Sequence, residues 1–227
     1  MARSAKVAGQ PGVNTGEAAI RRTRRSCHTA GHRVISLVLA LLWGQFAWNA
    51  YQRWALTGSL VLLGLVLFNT LLVGVTIARR PSLSTSTQVR DWVAALLTVG
   101  LSLMFRPGES PNPLAQAAGS TLQGVGLIIM VVALANLGRS FGIVAANRGI
   151  KRSGLYAWVR HPLYAGELIF FHGFLLANLS PYNLIVCFGV LCGLVIRSWV
   201  EEELLRRDTE YQAYMKAVPN RFLPGLF

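Results

Sequence analysis

The sequence predicts an all-α, polytopic membrane protein of about six spans. Both termini are expected on the cytoplasmic side, with the last helix running on past the bilayer. Three observations carry this. The 227 residues are 53% hydrophobic and only 14% charged, with a mean hydropathy of +0.45, where a soluble domain carries about 25% charged residues. Apolar runs recur along the chain at lengths near the ~20 residues a spanning helix needs. Lys and Arg fall almost entirely in alternate loops, as expected when basic residues are retained on the cytoplasmic side.

Residues 1–33 hold seven Lys/Arg, the single acid Glu17 and few large apolar side chains. Such a segment cannot form a core and reads as a disordered basic tail on anionic lipid, with an organelle transit peptide as the alternative. The domain then occupies 34–227. Its apolar runs are Val34–Tyr51, Ala55–Ala78 after a turn at Gln52–Trp54, Trp92–Phe105, Ala115–Leu137, Leu163–Leu179 and Tyr182–Val195. The third is short enough to be re-entrant. The sixth continues without Pro or Gly into the charged stretch 197–216. Pro107, Pro111 and Pro113 mark an outer loop.

With six spans and the N-terminus inside, the inner segments 1–33, 79–91, 138–162 and 197–227 hold seven, three, five and five Lys/Arg. Only Arg53 and Arg106 of the 22 lie outside. The same partition accounts for the net charge of +13 without nucleic acid as a partner. Cys27, Cys187 and Cys192 form no CxxC, and Cys187 and Cys192, five apart, do not share a helix face. They read as small apolar residues, and no metal-ligand spacing is present. No motif specifies an oligomeric state.

Two polar segments stand out against the apolar spans. In Gly154–Glu167, Pro162 biases His161 away from helical geometry and is suited to the first position of a helix. His161 is thereby expected at a helix N-terminus, where free N–H groups favour an anion. Arg160 adds a guanidinium suited to a carboxylate. Gly166 allows close approach of a helix or ligand, and Tyr156, Trp158 and Tyr164 offer faces for a cation or an adenine ring. In Arg197–Tyr214, Arg197 and Glu201 are four apart and can pair on one face. The run Glu201-Glu202-Glu203 fans around the helix, so at least one acid faces the protein, where acids near a membrane are costly. Glu203 and Glu210 are expected at the surface. Taken alone, the first segment is also explained by interfacial arginines and an aromatic belt, and the second by a solvated helical extension with surface ion pairs.

Together the two segments, Gly-x-Tyr-x-x-x-Arg-His-Pro-x-Tyr-x-Gly from Gly154 to Gly166 and Arg-x-x-x-Glu-Glu from Arg197 to Glu202, resemble the isoprenylcysteine carboxyl methyltransferase family and the related phospholipid methyltransferases. The resemblance covers about Leu137 to Phe227, including Leu137–Phe141, Tyr211, Tyr214 and the Arg221/Pro224 tail. It implies a methyltransferase core at about 137–227 that binds S-adenosylmethionine without a Rossmann domain, in keeping with the absence of GxGxxG after a strand. Leu155 stands where many relatives have Pro. Asp208-Thr209-Glu210 stands where eukaryotic enzymes have Phe-Gly, which points to the bacterial-type branch and an inner-membrane enzyme.

Carried onto this chain, the resemblance implies that Arg160, His161, Pro162, Tyr164, Gly166, Glu201 and Glu202 line the cofactor site. Arg160 would be near the carboxylate, and Glu201 and Glu202 at the ribose or ammonium. Arg197 would orient Glu201 or the acceptor, and Arg197, Glu201 and His161 form the catalytic set. The acceptor is a lipid or another lipophilic small molecule: a prenylcysteine-like carboxylate, a phospholipid amine or a thiol. The competing classes are a small transporter or channel subunit, opposed by the scarcity of ionisable residues within the runs (Glu167 and His172), and a non-catalytic membrane scaffold.

Overall fold

The computed structural model describes residues 15–80, 82, 84–86, 88–108 and 112–225, with the backbone alone over 15–33 and at 84. Among the described residues seven α-helices follow in order: α1 (Thr15–Thr57), α2 (Leu60–Ala78), α3 (Val89–Ser102), α4 (Pro113–Leu137), α5 (Pro162–Ala177), α6 (Pro181–Leu205) and α7 (Thr209–Ala217). Two-residue strands β1 (Ser84–Thr85) and β2 (Ala146–Asn147) pair antiparallel. The chain divides into two units, Met1–Val38 and Leu39–Phe227. The first is described only as helix from Thr15. Of the basic segment, 1–14 lies outside the described residues and 15–33 has helical backbone. The packing and the site described below concern the second unit alone.

Among the described residues, four helical segments are long and apolar enough to cross a membrane: Val34–Thr57, Leu60–Ala78, Pro113–Ser140 and Pro181–Leu205. Helices α3 and α5, with 14 and 16 residues, are about 21 and 24 Å long at 1.5 Å per residue, short of a ~30 Å hydrocarbon core. Leu41, Leu60, Leu114, Ile185 and Phe188 stand exposed on the helix surfaces, an outward apolar face suited to lipid. The all-α fold and its character as an integral membrane protein agree with the sequence.

Helix ends depart from the sequence reading in two places. The first break falls at Gly58 rather than at Gln52–Trp54. Gly58 has φ +66° and returns its N–H to the Trp54 carbonyl at 2.8 Å, a left-handed terminus that glycine accepts without a Cβ clash. The charged stretch after the sixth run is two helices rather than one. Helix α6 stops at Leu205, and Asp208 restarts the chain by accepting the Glu210 N–H at 2.9 Å, an N-cap. Pro162 occupies the first helical turn after His161 as expected, and Pro181 does so after the Ser180 cap; Pro113, read from the sequence as part of an outer loop, instead starts α4 after the Asn112 cap.

The closest packing is between α4 and α5. A Cβ on Gly126 would stand 2.6 Å from the Phe170 nitrogen, and one on Gly173 would stand 2.6 Å from the Gly119 carbonyl oxygen. Small residues let the two backbones touch. Phe68, Leu72 and Val75 of α2 pack against Leu127, Met130 and Leu134 of α4 and Phe170 of α5. Val186, Val190 and Leu194 of α6 pack on Tyr164, Ala165 and Phe222.

The loops meet in pairs at opposite ends of the bundle. At one end Arg80 donates to the Arg139 carbonyl (2.8 Å), Ser86 to the Ala145 carbonyl (3.0 Å), and Arg148 to the Arg80 carbonyl. At the other, the Asn183 side-chain oxygen accepts from the Arg106 N–H (3.1 Å) and the Asn178 side-chain oxygen from the Gly108 N–H (2.9 Å). The two basic loops expected on one side, 79–91 and 138–162, are therefore joined to each other.

Candidate active site

The site forms where the N-terminus of α5, the C-terminal turns of α6 and the segment after α7 converge. Residues 160–161 enter Pro162 in a non-helical bend and pair with that segment: the Arg160 N–H donates to the Asn220 carbonyl (3.0 Å) and the His161 N–H to the Arg221 carbonyl (2.9 Å). Helix α7 backs this arrangement. Its Tyr214 hydroxyl, buried and raised to about 12 by that burial, donates to the Tyr156 carbonyl at 2.7 Å.

Glu202 is the electrostatic centre. It is fully buried, and its oxygens accept from Arg160 Nε (2.9 Å), His161 Nε2 (3.1 Å), Arg221 Nε (3.1 Å) and Arg221 Nη2 (2.8 Å), with Arg206 Nη2 at 3.4 Å. A buried carboxylate persists only when paired and hydrogen-bonded in this way. Arg160 additionally donates Nη1 to the Val218 and Pro219 carbonyls. Helices α5 and α6 and the C-terminal segment are thus tied through one side chain.

Glu201 points elsewhere. Its side chain is 33% exposed and accepts from the Tyr164 hydroxyl at 3.1 Å. The His161 ring lies between the two acids, with Nδ1 3.9 Å from Glu201, and it stacks on Tyr164 at 5.5 Å between centroids. Arg197, one turn before Glu201, donates to the Ile143 carbonyl (3.0 Å) and lies over the Tyr164 ring at 5.0 Å. It makes no ion pair with Glu201 within 4.0 Å. Glu203 and Glu210 are exposed as expected, though each is paired, with Arg90 (2.7 Å) and Arg152 (3.2 Å).

These groups open on a cavity of about 770 Å³, within the range of small-molecule sites (~300–1,000 Å³). Arg160, His161, Tyr164, Arg197, Glu201 and Tyr156 line its polar end. Apolar walls from α2, α3, α5 and α6 extend it, including Leu65, Phe68, Val99, Phe171 and Val190. A second cavity of about 60 Å³ adjoins the same Arg160, His161 and Glu201.

Of the residues expected at the site, Pro162, Gly166 and Glu202 do not line the main cavity. Pro162 starts α5. Gly166 faces α4, where a Cβ would stand 2.7 Å from Met130 Cγ, so it serves helix packing. Two residues were missed. Arg221 lies nineteen positions beyond Glu202; the resemblance included it in the C-terminal tail without giving it a place in the site. Glu167 was visible as an acid in an apolar run and lines the cavity wall.

Residues 114–211 match the phospholipid methyltransferase family.

The motifs and this match identify the same group of membrane methyltransferases. The matched segment begins in α4 and ends within α7, so it contains Arg160, His161, Tyr164, Arg197, Glu201 and Glu202, while Arg221 lies beyond it. No curated protein matches the chain. The match covers less than half of the chain and suggests a membrane methyltransferase. No group of His, Cys, Asp and Glu suited to a metal ion occurs among the described residues.

Proposed function

We propose that the protein transfers a methyl group from S-adenosylmethionine to a lipophilic acceptor at the cytoplasmic membrane face. The observation that carries this reading is one cavity whose polar end holds Arg197, Glu201, His161 and Tyr164 and whose other walls are mostly apolar, with Arg53, Asn69 and Gln123 among them. The charges at that end suit the cofactor. Arg197 retains guanidinium hydrogens beyond the one given to Ile143 and matches a carboxylate, and Glu201 matches an ammonium or ribose hydroxyls. The aromatic faces of Tyr164 and Tyr156 suit a sulfonium or an adenine ring.

In this reading Arg197 takes the cofactor carboxylate, because Arg160 is engaged by Glu202 and two carbonyls. Glu202, with Arg160 and Arg221, holds His161 and the start of α5 in place and touches no ligand. When bound, the cofactor supplies a methyl group activated by its sulfonium. The chain contributes alignment of acceptor and methyl, and exclusion of water by the apolar walls. A carboxylate acceptor needs no base, whereas an amine or thiol must lose its proton.

The Lys/Arg partition and the end-to-end pairing of loops support six spans with both termini inside, α3 and α5 being the short ones. The test of the cofactor reading is calorimetric titration of S-adenosylhomocysteine into purified protein. Saturable binding weakened by Glu201→Gln and Arg197→Met is expected, and a folded parent that does not bind it would sink the reading.

A further inference from the structure

The charged groups at the polar end of the cavity are accounted for with one exception. Asp91 is held by Ser86 and Arg90. Arg160 is held by Glu202, Glu201 accepts from Tyr164, and Arg197 donates to Ile143 across the Tyr164 ring. Glu167 lines the same cavity, yet among the described residues no hydrogen bond and no ion pair within 4.0 Å reaches its carboxylate; its charged neighbour is the more distant Arg197. It sits on α5 three residues past Tyr164 and three before Phe170, where the polar end gives way to Phe170, Phe171 and Phe174. An acid at membrane depth is costly and marks a function by default.

We propose that Glu167 selects the acceptor by charge, taking up the ammonium head of an amine-bearing lipid and turning away a carboxylate-headed one. This rests on the methyltransferase reading above. With Arg197 matched to the cofactor carboxylate and Glu201 to its ammonium, Glu167 is the charge left for the acceptor at the polar end, Arg53 lining the cavity from α1. Its level along α5 fits a lipid head whose chain lies on the phenylalanines. A carboxylate head there would meet a like charge in a medium of low dielectric. In the transfer step the acceptor ammonium gives its proton to the Glu167 carboxylate. The freed nitrogen lone pair forms the N–C bond to the methyl, and the S–C bond breaks with its electron pair remaining on sulfur.

The test titrates hexadecylamine and hexadecanoate, which differ only in the head, into the full-length protein loaded with S-adenosylhomocysteine. The parent is expected to prefer the amine by about tenfold or more. Glu167→Gln should abolish that preference while S-adenosylhomocysteine affinity holds, and Glu167→Asp should restore part of it. A purely structural pairing of Glu167 with Arg197 would leave the preference unchanged. A parent that binds S-adenosylhomocysteine but favours hexadecanoate, or a folded E167Q protein that still favours the amine, overturns the proposal and leaves the methyltransferase reading standing. Failure of the parent to bind S-adenosylhomocysteine fails that reading instead, and the head-group preference is then read on the unloaded protein. If E167Q does not fold, the parent's own preference decides.

Discussion

Glu201 and Glu202 are neighbours in the chain and face different worlds. Glu202 is fully buried against Arg160, His161 and Arg221, while Glu201 lines the cavity and accepts from Tyr164 at 3.1 Å. Successive helical residues differ by about 100° around the axis. One turn of α6 can therefore carry a structural anchor and a ligand-facing acid side by side.

The two acids should separate experimentally. Glu202→Gln removes the charge that three buried cationic or hydrogen-bonding partners share, and losing one partner of a buried pair costs about 3–5 kcal/mol. The expected result is a large drop in thermal stability in detergent. Glu201→Gln should leave the unfolding temperature close to the parent's and weaken S-adenosylhomocysteine binding about tenfold or more. Equal loss of stability in both variants would contradict the division of roles.

Gly173→Ala should loosen the α4–α5 contact. Its Cβ would stand 2.6 Å from the Gly119 carbonyl oxygen and 2.7 Å from the Gln123 nitrogen, both backbone atoms. Overpacking of this kind costs about 1–3 kcal/mol. Gly124→Ala, with nothing within 4 Å of its Cβ, serves as the control and should leave the unfolding temperature unchanged or slightly raised. The measurement is thermal unfolding of the two variants side by side.

Alkaline pH should release α7. The Tyr214 hydroxyl is raised by burial to about 12 from its ordinary 10. An unfolded chain therefore ionises first, and the stability from this tyrosine is full below pH 10 and lost as pH rises through 12. Ultraviolet titration of tyrosinate should show a component near pH 12 that is absent from Tyr214→Phe. That variant's stability should fall less steeply across the same window.

Topology is checked by labelling in a background with Cys27, Cys187 and Cys192 replaced. Cysteines at the exposed Leu114 and at the half-exposed Arg152 should react oppositely with a membrane-impermeant thiol reagent added outside intact cells. Leu114→Cys should be labelled and Arg152→Cys protected. The reverse result would rule out six spans with the termini inside.

Composition and the spacing of apolar runs were enough to read an all-α membrane protein from the sequence, because a helix in lipid satisfies its backbone within itself and needs only a long apolar stretch to declare it. The Arg160-His161-Pro162-x-Tyr164 and Glu201-Glu202 segments were legible for a related reason: their spacing is short, and the shape of one helix end converts it directly into geometry. What tertiary structure decided was partnership. Arg197 is four residues from Glu201 and yet binds Ile143, Gly166 serves α4, and Glu202 is neutralised by Arg221 from beyond the matched segment. Helical periodicity states which side chains share a face, but the identity of the face opposite depends on how helices far apart in sequence cross. That crossing was set here by glycine contacts between α4 and α5 and by one buried carboxylate.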